Sequence, residues 1–313
     1  MTRIFFATDV HGSEVCWKKF INAGKFYQAE VLILGGDITG KALVPIVSIP
    51  GKKYKVSFLE QQMTIKEGQL EEIESLIRNR GYYPLVVSEE EYQELCRDQA
   101  LVKKRFEELV LQTAEKWLEY AEARLKEWGI DCYICPGNDD MFEVDEVFKK
   151  GERVKVAEGK VVEINHRWLM VSTGWTNPTP WQTYRECSEE ELHVKLENIV
   201  QQLDTSLEYA IFNFHAPPYQ SGLDEAPELD AMLRPKYAGR SLVPVGSKAV
   251  RVIVEKYQPP LGLFGHIHEG KGIKRLGKTL CINPGSSYEQ GILLGCLIDL
   301  DDTGIKKYLL TSG

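Results

Sequence analysis

The chain reads as an α/β protein with mixed sheets, and three observations predict this. Short runs of β-branched and aromatic residues recur, each stopped by Gly or Pro with a polar residue at the junction: R-I-F-F-A-T-D-V-H-G (3–12), V-L-I-L-G-G-D (31–37), C-Y-I-C-P-G-N-D-D (132–140), Y-A-I-F-N-F-H-A-P-P (209–218) and L-G-L-F-G-H-I-H (261–268). Continuous apolar runs of this length suit strands buried on both faces, and the stretches between them include helical patterns. Near the end, C-L-I-D-L and I-K-K-Y-L-L flank the turn D-D-T-G, a closing hairpin that makes the sheets mixed.

Composition bounds the rest. With 313 residues, 43% of them apolar, the chain can bury a sizeable core, and no repeat or linker divides it. The opening M-T-R-I-F-F-A-T-D-V is not a signal peptide and no run is long enough to span a membrane, so a cytoplasmic setting is the default expectation. A formal charge of -8 argues against gripping long stretches of nucleic acid. Seven irregularly spaced cysteines do not form a disulfide framework. Cys132 and Cys135 make a C-x-x-C, but on a strand positions three apart point to opposite faces, which disfavours a zinc or redox pair.

Further strands are expected at 161–164, 168–172 and 279–283. Helix starts are read at Asp140, with Glu143 completing a capping box, and at Ser188, with Glu191 doing the same. Between Gly40 and Gly129 the strand pattern gives way to charged, helical composition. Residues at about 41–128 therefore read as a largely helical insertion in a single domain spanning 1–313. It opens with a hairpin, L-V-P-I-V-S-I and Y-K-V-S-F-L around P-G-K-K, followed by a helix near 66–80. One long helix is then predicted from about Ser88 to Trp128, roughly 60 Å in length. Its Leu95, Val102, Phe106, Leu109, Trp117, Tyr120 and Trp128 define one seam, which packs on the protein's own body, caps a site or joins two copies in a homo-oligomer.

In open α/β folds ligands gather at the carboxyl ends of strands. Four of the six histidines, His11, His215, His266 and His268, sit just past apolar strands, with Asp9, Asp37 and Asn138 in equivalent positions; His166 and His193 fall in a turn and a charged helix. Four imidazoles, two carboxylates and one amide are about what two divalent cations need if one carboxylate bridges them. Mixed nitrogen and oxygen ligands suit Mn, Fe, Zn or Ni, divalent or trivalent, and do not choose among them. A pair of such ions clamps a phosphoryl group and lowers the pKa of a shared water, giving a bridging hydroxide.

D-V-H at 9–11, G-D at 36–37, G-N-D-D at 137–140, His215 and G-H-I-H at 265–268 resemble, in order, the five signature blocks of the calcineurin-like metallophosphoesterases. The resemblance implies a sandwich of two mixed β-sheets flanked by helices. It also implies that Asp9, His11 and His268 hold one metal, that Asn138, His215 and His266 hold the other, and that Asp37 bridges. The implied activity is hydrolysis of a phosphate ester, as a phosphodiesterase or phosphatase, on a small phosphorylated substrate. A non-catalytic scaffold on the same fold and a nuclease are the alternatives. K-K-R at 103–105 keeps the nuclease in view, and the acidic balance opposes it.

The sequence departs from the family at one position. Many members have His after the motif Asn and use it at the leaving group; here that catalytic candidate is Asp139, whose carboxylate near two cations would be ionised and a poor acid. Phosphodiesters, with better leaving groups, are therefore favoured over alkyl monoesters. Asp139 could otherwise orient a ligand or water, or simply form the turn. The aromatics in S-T-G-W-T-N-P-T-P-W-Q-T-Y-R (172–185) either pack or stack on a nucleoside, and Arg234, Arg240 and Lys248 are candidates to meet phosphate.

Overall fold

Side chains alternate across a strand, so a run that is apolar at both parities needs cover on both faces. The chain supplies that cover by stacking two six-stranded sheets and laying helices over their outer faces. In the computed structural model, which describes residues 1–203 and 207–313, the elements run β1 (Thr2–Ala7), α1 (Glu14–Phe26), β2 (Val31–Leu34), β3 (Leu43–Ile49), β4 (Lys53–Phe58), β5 (Gln61–Lys66), α2 (Leu70–Asn79), β6 (Tyr83–Val87), α3 (Glu89–Arg97), α4 (Gln99–Trp128), β7 (Asp131–Ile134), α5 (Glu143–Phe148), β8 (Val154–Val156), β9 (Val161–Glu163), β10 (Leu169–Thr173), α6 (Glu189–Val200), β11 (Ala210–Phe214), β12 (Glu225–Pro227), β13 (Leu242–Pro244), α7 (Lys248–Tyr257), β14 (Leu261–Leu263), β15 (Gly272–Leu276), β16 (Thr279–Asn283), β17 (Leu294–Asp301) and β18 (Gly304–Ser312).

One sheet has the order β18-β17-β1-β2-β7-β8, the other β15-β16-β14-β11-β10-β9. Both are mixed. β1-β2-β7-β8 and β16-β14-β11-β10 run parallel, and antiparallel strands close one edge of the first sheet, through β17 and β18, and both edges of the second, through β15 and β9. Alternation decides which core each residue joins. Ile4, Phe6, Ile33 and Tyr133 face Met170, Ile211, Leu263 and Ile282 between the sheets. Their neighbours Phe5, Ala7, Leu32, Leu34 and Ile134 face out onto residues of α1, α4 and α5, while Val171, Phe212 and Phe214 meet residues of α6 and α7.

The segment read from sequence as an insertion, about 41–128, contains more strand than the expected hairpin. β3 and β4 form that hairpin, and β5 and β6 add to it in a four-stranded sheet of order β5-β4-β3-β6, with its own small cores. The single long helix predicted from Ser88 is two helices. Asp98 breaks it with an extended backbone (φ -122°, ψ 99°), and its carboxylate accepts the N–H groups of Ala100 and Leu101 at 2.9 and 3.2 Å, which caps α4.

The predicted seam packs partly on residues outside 41–128, through Trp117, and partly on the strands within that segment. Trp117 stacks on Trp17 with ring centroids 4.9 Å apart, Phe106 meets Tyr83 edge-on at 5.6 Å, and Leu95 and Val102 pack with Val47 and Val87. Where the insertion joins the body, backbones touch. Gly81 (φ 85°) lies so close to the His11 carbonyl that a β-carbon there would overlap it, and one on Gly40 would overlap the Gly81 carbonyl.

The helix start expected at Asp140 is also corrected. α5 begins at Glu143 without a side-chain cap, because the Asp140 carboxylate is buried and engaged elsewhere. The capping box of Ser188 and Glu191 forms as read from sequence. All seven cysteines are free; Cys132 joins the helix-side core and the Cys135 thiol meets Glu158 at 3.2 Å. Among the described residues no helix is long and apolar enough to cross a membrane.

Candidate metal centre

Register brings the polar junction residues together. Ala7 pairs with Leu34 and Leu34 with Ile134, so three parallel strands end level and their loops carry Asp9 and His11, Asp37, and Asn138. In the other sheet Asn213 pairs with Leu263, and the loops beyond carry His215, His266 and His268. Backbone hydrogen bonds stitch these loops: Asp9 N–H to Gly36 O, His11 N–H to Asp37 O and Gly265 N–H to His215 O, each 2.9 Å. The His266 N–H crosses between the sheets to the Asp9 carboxylate at 3.0–3.1 Å.

Asp9, His11, Asp37 and His266 all hold left-handed backbone conformations, with φ of 54°, 39°, 50° and 64°. Such conformations cost about 1–3 kcal/mol each in non-glycine residues and collect at functional sites. Close approach also dictates Gly137, where a β-carbon would overlap the Asp37 carboxylate and amide.

The side chains form two adjoining groups, Asp9-His11-His268 and Asp37-His215-His266, within each of which the ligand atoms lie within 4.8 Å of one another. Asp37 Oδ2 lies 3.5 Å from His11 Nε2 in one group and 3.3 Å from His215 Nε2 in its own. His268 Nε2 lies 3.5 Å from Asp9 Oδ1 and 2.9 Å from His11 Nε2. A third grouping, His11-Asp37-Asp139, puts Asp139 against the same cluster.

Unsatisfied atoms test whether this arrangement fits cations. His215 Nδ1 meets the Gly35 carbonyl at 2.9 Å, which orients the ring and leaves Nε2 as the nitrogen a cation could take in place of a proton; that Nε2 is buried without a hydrogen-bond partner. The Asn138 amide nitrogen donates to Thr183 Oγ1 at 2.7 Å and Asp139 Oδ1 at 3.1 Å, and its Oδ1 is buried with no donor. Buried polar atoms are nearly always paired. An acceptor lone pair left on an imidazole and on an amide, beside two buried carboxylates, is a donor set that suits transition-metal ions.

Electrostatics point the same way. Burial pushes the Asp9 and Asp37 carboxyls up, but the surrounding imidazoles override it and hold both below the ordinary carboxylate range. Burial pulls all four imidazoles down. His11 falls well below its usual value and His266 to about 4, whereas the Asp37 and Asp9 carboxylates lift His215 to about 10, and Asp9 lifts His268. Without cations the two carboxylates thus hold protons on His215 and His268, and a bound ion would take the place of such a proton.

Asp139 donates its backbone N–H to Asp37 Oδ1 at 3.0 Å, and its own Oδ2 lies 3.8 Å from His11 Nδ1 and 3.1 Å from Lys41 Nζ. Burial, then the Asp37 charge, raises its pKa to about 7 against the pull of Lys41. The reading of Asp139 as a low-pKa group presupposed cations, which oppose this shift. The neighbouring Asp140 carboxylate accepts from the N–H groups of Ile38, Thr39 and Gly137 and the Thr39 hydroxyl, locking the Asp37 loop to the Asn138 loop.

Segment 172–185 buttresses that second loop. Thr183 holds Asn138, and the buried Arg185 guanidinium donates to the Gly137 and Asp140 carbonyls and pairs with Asp145. Trp175 packs against Phe142 and under Lys195, while Trp181 is exposed. Arg234, Arg240 and Lys248 are exposed, and the cation whose ion pair lies at the cluster is Lys41. Sequence reasoning missed Lys41 and also Tyr288, whose ring lies 4.8 Å from His11 and 5.9 Å from His268. A lone lysine after glycine and a tyrosine after serine carry no pattern that marks them.

No family model matches the chain. An uncharacterized protein of Methanocaldococcus jannaschii is 36% identical over 154 residues, covering 48% of this chain and 61% of that protein, so the match spans about three fifths of the relative's length. A solved crystal structure aligns with TM-score 0.57 and 16% identity over 99% of this chain and 98% of its own. The crystal structure of a Thermus thermophilus protein, TT1561, aligns with TM-score 0.52 and 13% identity over 100% of this chain and 98% of its own. At such identities the likeness is one of fold: a mixed α/β sandwich flanked by helices.

Proposed function

We propose that the chain is a metal-dependent phosphoesterase acting on a small phosphorylated substrate, and that it works with two transition-metal ions. One observation carries the reading: Asp37 Oδ2 lies within 3.5 Å of an imidazole nitrogen from each of two ligand groups, the place a bridging carboxylate takes. Asp9, His11 and His268 would hold one ion, and Asn138, His215 and His266 the other. When bound, such a pair supplies charge to a phosphoryl group and an acidified water. The chain's own contribution is to fix the donors before anything binds, through the Gly35 carbonyl behind His215, Thr183 behind Asn138 and the strained loops around Asp9 and Asp37.

No imidazole follows Asn138, and Asp139 beside cations is a poor acid. Leaving groups that need little protonation are therefore preferred, which favours phosphodiesters over alkyl monoesters. Metal analysis of the purified protein, with steady-state rates on aryl monoesters and diesters in Mn²⁺, tests both parts. Asp37→Ala is expected to lose metal and to lower turnover about a hundredfold or more. Full activity in that variant would overturn the reading, and a strong monoester preference would reverse the substrate assignment.

A further inference from the structure

Lys41 is placed by a backbone with little freedom. The Ile38 and Thr39 N–H groups are held by Asp140, and the Gly40 N–H donates to the buried Tyr83 hydroxyl at 2.8 Å. The side chain that follows is half exposed, yet it turns inward and ends with Nζ 3.1 Å from Asp139 Oδ2. Asp139 in turn lies 3.8 Å from His11 Nδ1 and bonds Asp37 through its backbone, so the ammonium stands at the rim of the ligand cluster with solvent on its other side.

The Lys41 end of the pair is half exposed, whereas the Asp139 side chain is largely buried, so the ammonium keeps part of its water. Here the pair is anchored from both sides. An ammonium held at the rim of the ligand cluster is a ready contact for an incoming oxyanion, and as a compact point charge with three donors it suits a phosphoryl oxygen.

We propose that Lys41 is a substrate-binding residue that takes a non-bridging phosphoryl oxygen of the ester, with Asp139 as the positioning residue that aims its ammonium. This rests on the phosphoesterase reading and adds to it. It gives the position normally filled by a motif histidine a different use: Asp139 holds a cation borne on the loop that leads into the insertion.

The test compares wild type, Lys41→Ala, Lys41→Arg, Asp139→Asn and the double variant Lys41→Ala/Asp139→Asn, each loaded with Mn²⁺. Metal content, the dissociation constant for inorganic phosphate by calorimetry, and KM against kcat for an aryl phosphate ester are read for each. Lys41→Ala is expected to keep its metal and to weaken phosphate binding and raise KM by about tenfold, the loss of one charge-assisted contact. Lys41→Arg should recover most of that, and Asp139→Asn should show a smaller loss.

The double variant separates the proposal from a purely structural pair. If Lys41 only neutralises Asp139, removing both restores wild-type binding; if it holds substrate, the double variant stays as weak as Lys41→Ala. Unchanged phosphate binding and KM in Lys41→Ala, loss of its metal, or recovery in the double variant would each overturn the proposal while leaving the phosphoesterase reading standing. A wild type that neither binds phosphate nor hydrolyses any ester would overturn both.

Discussion

Asp140 shows how a residue outside the ligand set can decide whether the set assembles. Its buried carboxylate accepts from Ile38, Thr39 and Gly137, which flank Asp37 and Asn138. Asp140→Ala would leave several buried donors unpaired, so we expect a loss of about 3 kcal/mol or more in urea unfolding, together with weaker metal binding. The sequence suggested a helix cap here because D-M-F-E has capping-box spacing. That local option lost to four donors converging from two loops, a convergence no local window contains. The seven candidate residues could be picked out for the opposite reason: they follow five strands, β1, β2, β7, β11 and β14, within a few residues, and the parallel register aligns the strand ends.

A second residue-scale contact ties two neighbouring strands within the sheet. Arg3 and Asp299 are opposite each other in the β1–β17 pairing, and the guanidinium grips both carboxylate oxygens at 2.7 and 3.1 Å. The hydrogen bond from Arg3 holds the Asp299 carboxyl below its ordinary 3.8. A depressed carboxyl adds stability that is complete above the unfolded-state value and is lost as pH falls through the lower folded-state value. The stability difference between wild type and Arg3→Met should therefore be constant at neutral pH and shrink only below about pH 4. A difference that instead grew with acid would contradict the assignment.

Among the elements, the insertion was the part least legible. β3 and β4 alternate or run apolar and were found, whereas β5 (Q-Q-M-T-I-K) and β6 (Y-P-L-V-V) were not. Both are edge strands of that sheet, where polar residues and proline are tolerated because one side of the backbone is unpaired. The α3–α4 break was missed because apolar spacing carries across it; the signal was Asp98 itself, a good N-cap. Asp98→Ala should cost about 1 kcal/mol, measured by thermal or urea unfolding. Trp117→Ala should cost about 3–5 kcal/mol, since it empties the stack on Trp17 in the core between α1 and α4.

At the scale of the molecule, two sheets contribute complementary halves of one site, so ions bound there would fasten the sandwich at its strand-end edge. Ligand bound only by the folded state stabilises by mass action, about 2.7 kcal/mol at a hundred times the dissociation constant. Mn²⁺ in such excess should raise the melting temperature of wild type, a chelator should reverse the rise, and Asp37→Ala should show almost none. Absence of any shift in wild type would count against ions at this edge. The α/β class and the mixing of strand directions were legible because runs apolar at both parities demand two covered faces and the closing hairpin announced one antiparallel edge, whereas the stacking of two sheets was implied only by the resemblance of the motif blocks.

The contact of Gly81 with the His11 carbonyl has a mechanical consequence. An insertion resting on the peptide of an imidazole donor cannot swing as an independent flap: tilting it drags that imidazole out of register with its partners. A crosslink that stiffens the sheet of β3 to β6 should therefore be felt at His11: a disulfide staple between β5 and β4 is expected to tighten the binding of added Mn²⁺, read by calorimetry against the unstapled chain.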